Sequence, residues 1–346
     1  MDADLPNLTS SPSPHAVTPA HPLDVRPSKQ IFQRELLSWY DSHKRELPWR
    51  RDTGPYHVWL SEIMLQQTRV AAVVDYYERF LRRFPTVQKL AAAREASVLA
   101  AWSGLGYYRR ARMLHAAAKI VAGERGGVFP SAASDLQNLP GIGRYTAAAI
   151  ASICFGEAVA VVDGNVERVL GRVCGKALGK EQAWTLADEM LAEERPGDFN
   201  QAMMELGAMV CVPGQPLCLA CPVREICRAK GTVAGAKKAS VQKKRTIHYA
   251  LDCRDGSVFL VQRPHTASLM GGMWELPELS IERKPARTKT PDFVLRHSIT
   301  VTDYTVRVMR RAAPEKLPGK WVPKTKAAGL PLTGLARKIL RAAGII

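Results

Sequence analysis

Four cysteines with short spacings constrain this chain more than any other feature. They follow the pattern Cys211-x6-Cys218-x2-Cys221-x5-Cys227 and lie within 17 residues, joined by short loops that contain proline and glycine. Four thiolates so close in sequence can converge on one soft metal centre. Zinc sites usually pair two short C-x2–4-C knuckles, whereas only one pair is that close here. The spacing therefore favours a 4Fe–4S cluster, with a zinc site of four cysteine ligands as the alternative.

The charge of the chain points to a polyanionic partner. The 346 residues carry a formal net charge of +17, and residues 228–245 hold seven basic residues and no acid. Such a balance favours DNA or RNA, although a solvated linker that aids solubility explains the basic run equally well. No apolar run approaches the ~20 residues of a membrane span, and the N-terminus lacks the layout of a signal peptide. Seven cysteines, an odd number, argue against a full disulfide framework. We expect a cytoplasmic protein without a membrane segment.

Composition divides the chain into four parts. Residues 1–29 are rich in proline and serine and are predicted to be a disordered tail. Residues 30–229 show helical apolar periodicity and predict an all-α body. Residues 230–245 lack apolar periodicity and read as a basic linker. Residues 246–346 contain strand patterns, an Asp255-Gly256 turn signal and a closing helix, so they predict a smaller α+β domain.

The positions of proline and glycine predict where the helices of the all-α body begin and end. The first begins near Lys29, and Pro55 suits the first turn of a second helix from Tyr56 to about Phe84, which Pro85 closes. Further helices are expected near 86–92, 95–102, 109–123, 133–138 and 144–155.

A glycine turn followed by an isolated acid lies between Leu139 and Leu170. Gly141 and Gly143 belong to a Leu-Pro-Gly-Ile-Gly turn that leads into an alanine-rich helix. The free N–H groups at the start of such a helix suit an anion such as a phosphate. Asp163 follows about twenty residues later in VVDGNV. A phosphate cradle followed by a lone carboxylate suggests chemistry on a nucleic acid.

Glu62 interrupts a strongly apolar helix, YHVWLSEIMLQQTRV, near its start. A glutamate there is either solvated or held in a pocket that raises its pKa. In the second case it stays protonated near neutral pH and can act as a general acid. The apolar neighbours favour the pocket.

These motifs together resemble the helix-hairpin-helix DNA glycosylases related to endonuclease III, and within them the MutY-type adenine DNA glycosylases. The likeness runs from residue 30 to 227. It rests on the hairpin at 139–145, the cysteine loop at 211–227 and the segments LPWR, SEIMLQQTRV, WSGLGYYRRAR and FNQAMMELGAMVC. The resemblance implies that the four cysteines hold a 4Fe–4S cluster. It also implies that the hairpin, with Arg144, grips the phosphate backbone.

The resemblance also implies the catalytic residues. Glu62 would protonate adenine at N7, and Asp163 would stabilise the oxocarbenium ion or bond transiently to the sugar. Bifunctional relatives carry a lysine after the hairpin, whereas this chain has Tyr145, and a phenol cannot form a Schiff base. Tyr145 and Asn165 would position the two acids, or would only serve as structural hydrogen-bonding groups.

Base flipping requires side chains that fill the gap in the stack. Gln67 and Tyr107 match the positions that wedge into the duplex in these glycosylases, and Trp49 and Arg50 match the wall of the adenine pocket. Further contacts to the DNA backbone are expected from Arg109, Arg110 and Arg112.

The C-terminal third resembles the Nudix-like module that reads 8-oxoguanine in this family. The likeness lies in KKRTIHYALDCRDGSVFLVQRP and GGMWELPEL. Residues 280–291 are basic and broken by prolines, so we predict no pyrophosphatase activity. The Phe-Ser-His loop of well-known members is absent, and Thr300 is the residue left there to hydrogen-bond the lesion.

The resemblance therefore implies a monofunctional adenine DNA glycosylase for base excision repair. Its substrate would be double-stranded DNA with adenine opposite 8-oxoguanine or guanine. The alternatives are a bifunctional glycosylase/lyase of the endonuclease III type and a non-catalytic Fe–S DNA-binding protein. We expect a monomer, associated with the nucleoid if the source is bacterial.

Overall fold

The computed structural model describes residues 28–231, 243–279, 291–299 and 302–346. The predicted tail up to residue 27, most of the predicted linker, residues 280–290 and Thr300 lie outside the described residues. No helix within the described ranges is long and apolar enough to cross a membrane.

Helices make up the region from residue 28 to 231, as predicted. Their bounds follow the proline and glycine signals closely, and the predicted helices at 95–102 and 144–155 are confirmed. The helices are α1 (Lys29–His43), α2 (Pro55–Leu65), α3 (Val70–Arg83), α4 (Val87–Ala91), α5 (Glu95–Trp102), α6 (Arg109–Glu124), α7 (Ala133–Leu136), α8 (Arg144–Phe155), α9 (Gly164–Val173), α10 (Lys180–Met190) and α11 (Pro196–Met209).

The prediction of one helix from Tyr56 to about Phe84 is wrong, because the chain breaks between α2 and α3. Gln67 has a φ of 57°, in the left-handed region that ends a helix. The last carbonyls of α2 accept hydrogen bonds from the Arg110 guanidinium instead of from a further helical turn. This partner is distant in sequence, so local periodicity could not reveal the break.

Two apolar cores divide the helical region and leave a cleft between them. The first is built mainly from α2 to α8 and includes Trp59 and Trp102, both fully buried. The second joins α1 to α9, α10 and α11 around Phe32 and Phe199. Because α2 and α9 belong to different cores, side chains near the ends of these helices face one another across the cleft.

Two small sheets form most of the C-terminal region. The first has the order β1 (Lys243–Ala250), β6 (Thr302–Met309), β5 (Phe293–Ile299), with β1 parallel and β5 antiparallel to β6. The second joins β2 (Cys253–Arg254), β3 (Ser257–Gln262), β4 (Trp274–Glu275) and β7 (Gly319–Pro323). The predicted turn at Asp255-Gly256 is confirmed, since both residues have positive φ. Two helices, α12 (Lys324–Ala327) and α13 (Gly334–Ala342), complete the region.

The turn between α5 and α6 touches the C-terminal region. Ser103 Oγ donates to the Leu332 carbonyl at 2.6 Å and accepts from Arg337 Nε at 2.9 Å. The Tyr108 hydroxyl donates to the same carbonyl at 3.4 Å. Met273 also packs into the first helical core. The two regions are therefore joined by hydrogen bonds and by apolar contact.

Candidate functional site

A cleft of about 640 Å³ opens between the two helical cores. This volume suits a nucleoside-sized ligand. Seven of the residues predicted for catalysis or base binding line it: Trp49, Arg50, Glu62, Gln67, Tyr145, Asp163 and Asn165. The structure thus gathers into one cleft residues that lie up to 116 positions apart in the sequence.

Glu62 is the buried acid of this cleft. Its side chain lies on α2 and is only 7% exposed, and its Oε2 atom has no hydrogen-bond partner. Burial raises the pKa of Glu62 to about 7; a hydrogen bond from Tyr145 lowers it and the charge of Asp163 raises it. A carboxyl with that pKa can both release and accept a proton near neutral pH.

Asp163 caps the N-terminus of α9. Its Oδ1 accepts from the backbone N–H groups of Asn165 and Val166, each at 2.8 Å, and its Oδ2 accepts from Asn165 Nδ2 at 2.8 Å. A helix N-terminus favours a negative charge at this position. The carboxylate is therefore fixed in orientation while it faces the cleft.

Arg168 holds Asn165 from the other side. Its Nη2 donates to Asn165 Oδ1 at 2.9 Å, and its Nε donates to the Cys211 carbonyl at 2.8 Å. The amide of Asn165 is thus held between Arg168 and Asp163, which connects the carboxylate to the first residue of the cysteine loop.

Tyr145 lies between the two acids at the start of α8. Burial, followed by the charges of Glu62 and Asp163, raises the pKa of its phenol well above the usual range. Its hydroxyl lies 3.1 Å from Met204 Sδ. Among the described residues that line the cleft, none is a lysine. The group at this point of the cleft is therefore a neutral phenol.

Arg50 forms part of the cleft wall through a buried ion pair that the sequence analysis missed. Glu205 is 1% exposed and accepts from Arg45 at 2.7 and 2.8 Å and from Arg50 at 3.0 Å. Burial acts to raise the pKa of Glu205, but these hydrogen bonds outweigh it and bring it to about 2. The signal in the sequence that could have revealed this ion pair is Glu205 itself, the acid among the apolar residues of FNQAMMELGAMVC. Trp49 completes the wall, edge-on to Tyr77.

Gln67 and Tyr107 are exposed, as a wedge requires. Gln67 lines the cleft, whereas Tyr107 does not. The Tyr107 side chain is 48% exposed, and its backbone φ of 47° is left-handed like that of Gln67.

The hairpin has the turn that the glycines predicted. Gly141 has a φ of 79°, and a Cβ there would lie 2.6 Å from Met113 Cβ, so only glycine fits. Gly143 caps α8 in open space. Arg144 stacks on Trp184, with 3.9 Å from its guanidinium carbon to the ring centre, and pairs with exposed Glu181 at 3.1 Å.

The four cysteines of the loop line one pocket with aliphatic walls. Arg172 Nη1 lies 3.3 Å from Cys211 Sγ, which suits a thiolate. Burial raises the pKa of the Cys221 thiol to about 11, and the three other cysteines add to this effect. Within the described ranges, no three His, Cys, Asp or Glu side chains are arranged to hold a single metal ion.

Comparison with known proteins shows which proteins this chain is similar to. A model of the HhH-GPD superfamily of base excision DNA repair proteins matches residues 60–184. Rat adenine DNA glycosylase is 41% identical over 332 residues, covering 77% of this chain and 64% of the relative. The human adenine DNA glycosylase is 52% identical over 219 residues, covering 58% of this chain and 40% of the relative. The chain therefore spans less than two thirds of the length of these curated relatives.

A solved structure shares the fold of the helical region. The structure of a thermostable thymine-DNA glycosylase aligns with a TM-score of 0.55 at 27% identity, covering 58% of this chain and 96% of that chain. The sequence and structure comparisons agree in relating this chain to DNA glycosylases, and residues 60–184 match the HhH-GPD superfamily of base excision DNA repair proteins.

Proposed function

We propose that this protein is a monofunctional adenine DNA glycosylase that hydrolyses the N-glycosidic bond in base excision repair. The observation that carries the proposal is the pair of carboxyl groups in the cleft. Burial raises the pKa of Glu62 to about 7, and Asp163 is held in place by three N–H donors. One protonated and one ionised acid are what glycoside hydrolysis needs. The rat and human relatives are named for adenine.

The proposed reaction gives each of these groups one role. Glu62 donates its proton to N7 of the flipped adenine. The bond between C1′ and N9 then breaks, and its electron pair leaves with the base. Asp163 stabilises the positive charge that develops on the sugar. A water molecule adds to C1′ and gives its proton to Glu62, which restores the starting state.

Tyr145 supports hydrolysis over the lyase alternative. A Schiff-base route requires an amine next to the sugar carbon. The raised pKa of the phenol keeps Tyr145 neutral, so it donates a hydrogen bond to Glu62 and is a poor nucleophile. We infer that its role, with that of Asn165, is to position the two acids.

The cysteine loop supports a 4Fe–4S cluster, held by Cys211, Cys218, Cys221 and Cys227. The donor set of four thiols in one apolar pocket, with Arg172 beside one sulfur, fits such a group. When bound, the cluster would fix the loop and its arginines beside the DNA. Broad visible absorption in the blue would distinguish it from zinc.

DNA with adenine opposite 8-oxoguanine or guanine is the proposed substrate. The hairpin, with Gly141, Gly143 and Arg144, would contact the phosphate backbone. The C-terminal region would act as a Nudix-like module for the opposite base, with Thr300 as a hydrogen-bonding candidate. The division into a tail, a helical body, a linker and this module belongs to the proposal, as do a monomeric state and a cytoplasmic location.

Single-turnover release of adenine from such a duplex tests the proposal. We expect the wild type to release adenine, and Glu62→Gln to bind the duplex without releasing it. Glu46→Gln, which removes an exposed acid close in the sequence, is the matched control and should stay active. Borohydride should trap no enzyme–DNA adduct. Adenine release by Glu62→Gln at the wild-type rate would refute the assignment.

A further inference from the structure

Two turns, of which only the first lines the cleft, share an uncommon backbone conformation. Gln67 in the turn between α2 and α3 has a φ of 57°, and Tyr107 in the turn between α5 and α6 has a φ of 47°. Left-handed conformations cost a non-glycine residue about 1–2 kcal/mol, so they persist only where surrounding contacts impose them. Both residues present a planar group to solvent, an amide and a phenol. We call these two turns the rim turns.

Arg110 supplies contacts that hold both rim turns. Its Nη1 atom lies 2.7, 2.9 and 2.5 Å from the carbonyl oxygens of Ile63, Met64 and Gln66. Its Nη2 atom donates to Thr68 Oγ1 at 3.1 Å, so the guanidinium brackets Gln67 on both sides.

The same guanidinium reaches the second rim turn. Its Nη2 lies 3.5 Å from the Gly106 carbonyl, and its carbon lies 5.3 Å from the centre of the Tyr107 ring. The other side of the contact is Trp102, whose ring centre is 5.4 Å away. One planar cation therefore contacts the residue before Tyr107 and the ring of Tyr107 itself.

The surroundings of Arg110 indicate an internal role. Among the described residues, its hydrogen-bond partners are backbone carbonyls and Thr68 Oγ1 and include no carboxylate, and its Nε has no partner. Burial lowers the pKa of Arg110 to about 10. Backbone carbonyls from two turns take the place of an acid. The neighbouring Arg109, by contrast, is exposed at the start of α6.

We propose that Arg110 is a positioning residue that locks the two rim turns into one unit, so that Gln67 and Tyr107 enter the base stack together when adenine leaves it. The proposal rests on the glycosylase function proposed above. Extruding a base leaves a gap in the stack, and the side chains that fill it must be aligned with that gap. A lysine cannot replace Arg110, because one ammonium cannot span both turns as a planar fork can.

The competing role for Arg110, a direct phosphate contact, predicts different behaviour. A phosphate contact tolerates lysine, and its loss lowers the salt dependence of binding by about one ion. A positioning role makes Arg110→Lys defective and leaves the salt dependence unchanged. Arg109→Ala serves as the contrasting variant, since its exposed side chain is free to meet a phosphate.

The test combines rates with a probe of base extrusion. We expect Arg110→Lys to lower the single-turnover rate on an A:8-oxoguanine duplex about 100-fold, the effect of a small misplacement. In a Gln67→Ala/Tyr107→Ala background the same change should alter the rate less than about twofold, because the residues act as one unit. Thr68→Val removes the hydrogen bond from Arg110 to Thr68. It should lower the single-turnover rate less than Arg110→Lys does, and this loss should also vanish in the Gln67→Ala/Tyr107→Ala background.

Fluorescence of 2-aminopurine at the adenine position reports extrusion without cleavage. Glu62→Gln should bind this duplex and raise the fluorescence, whereas Glu62→Gln/Arg110→Lys should bind with the same salt dependence and leave it low. A full rate for Arg110→Lys, or an undiminished loss in the Gln67→Ala/Tyr107→Ala background, would overturn the proposal. If Glu62→Gln itself gave no fluorescence increase, the glycosylase function would fail, which is a separate outcome.

Discussion

Replacing Glu62 with glutamine should stabilise the protein while it removes activity. Burial raises the pKa of Glu62 from 4.5 to about 7. One pKa unit corresponds to about 1.4 kcal/mol, so holding this carboxylate in the fold at alkaline pH costs about 3 kcal/mol. Glutamine has a similar shape without the charge, and it avoids this cost.

The stability advantage of Glu62→Gln over the wild type should grow as the pH rises. Because the pKa of Glu62 is higher in the folded state, the folded protein keeps a proton that the unfolded chain releases between about pH 4.5 and pH 7. The contribution of this group to the free energy of unfolding therefore falls as the pH rises through that window. The advantage of Glu62→Gln over the wild type should be near zero at about pH 4.5 and reach about 3 kcal/mol above pH 7.

Urea unfolding followed by tryptophan fluorescence measures this difference. Both proteins would be unfolded at several values between pH 4.5 and pH 8, and the free energies of unfolding compared at each pH. Glu46→Gln, the exposed control, should follow the wild type throughout. A constant difference between Glu62→Gln and the wild type across the range would refute the reasoning, since it would mean that Glu62 is ionised at pH 5.

Three further substitutions test separate contacts. Glu205→Ala leaves two arginines facing an apolar wall and should cost about 3 kcal/mol in urea unfolding. Gly207→Ala should slow adenine release at least about tenfold, because its Cβ would lie 2.6 Å from Asn165 Cβ and displace the residue that holds Asp163. Arg337→Ala removes the donor to Ser103 and should lower the free energy of unfolding by about 1 kcal/mol.

Matched control variants separate the predicted effects from those of an unrelated substitution. Gly123→Ala lies in α6 with open space around it and should be neutral or stabilising by about 0.5–1 kcal/mol, in contrast to Gly207→Ala. Arg341→Ala removes an exposed arginine from the same helix as Arg337 and should have little effect. Equal effects of Gly123→Ala and Gly207→Ala on adenine release would contradict the close-approach argument. Equal effects of Arg337→Ala and Arg341→Ala would contradict the role of the Ser103 contact.

Local signals in the sequence predicted most of the helices and the turn at Asp255-Gly256, because proline, glycine and apolar spacing act over a few residues. They also singled out Glu62, an acid in an apolar helix. Local signals could not predict features that depend on contacts with residues distant in the sequence. The break at Gln67 depends on Arg110, about forty positions away, and the ion pair of Glu205 depends on Arg45.

The Leu332 carbonyl connects the C-terminal region to the turn that carries Tyr107. It accepts hydrogen bonds from Ser103 and Tyr108, which bracket Tyr107 in one short turn. A displacement of the C-terminal region would therefore move the turn that carries Tyr107, the residue proposed to enter the base stack. Thermodynamic coupling of this kind is reciprocal. If the proposed roles hold, insertion of Tyr107 would in turn tighten the binding of the C-terminal region to the base opposite adenine.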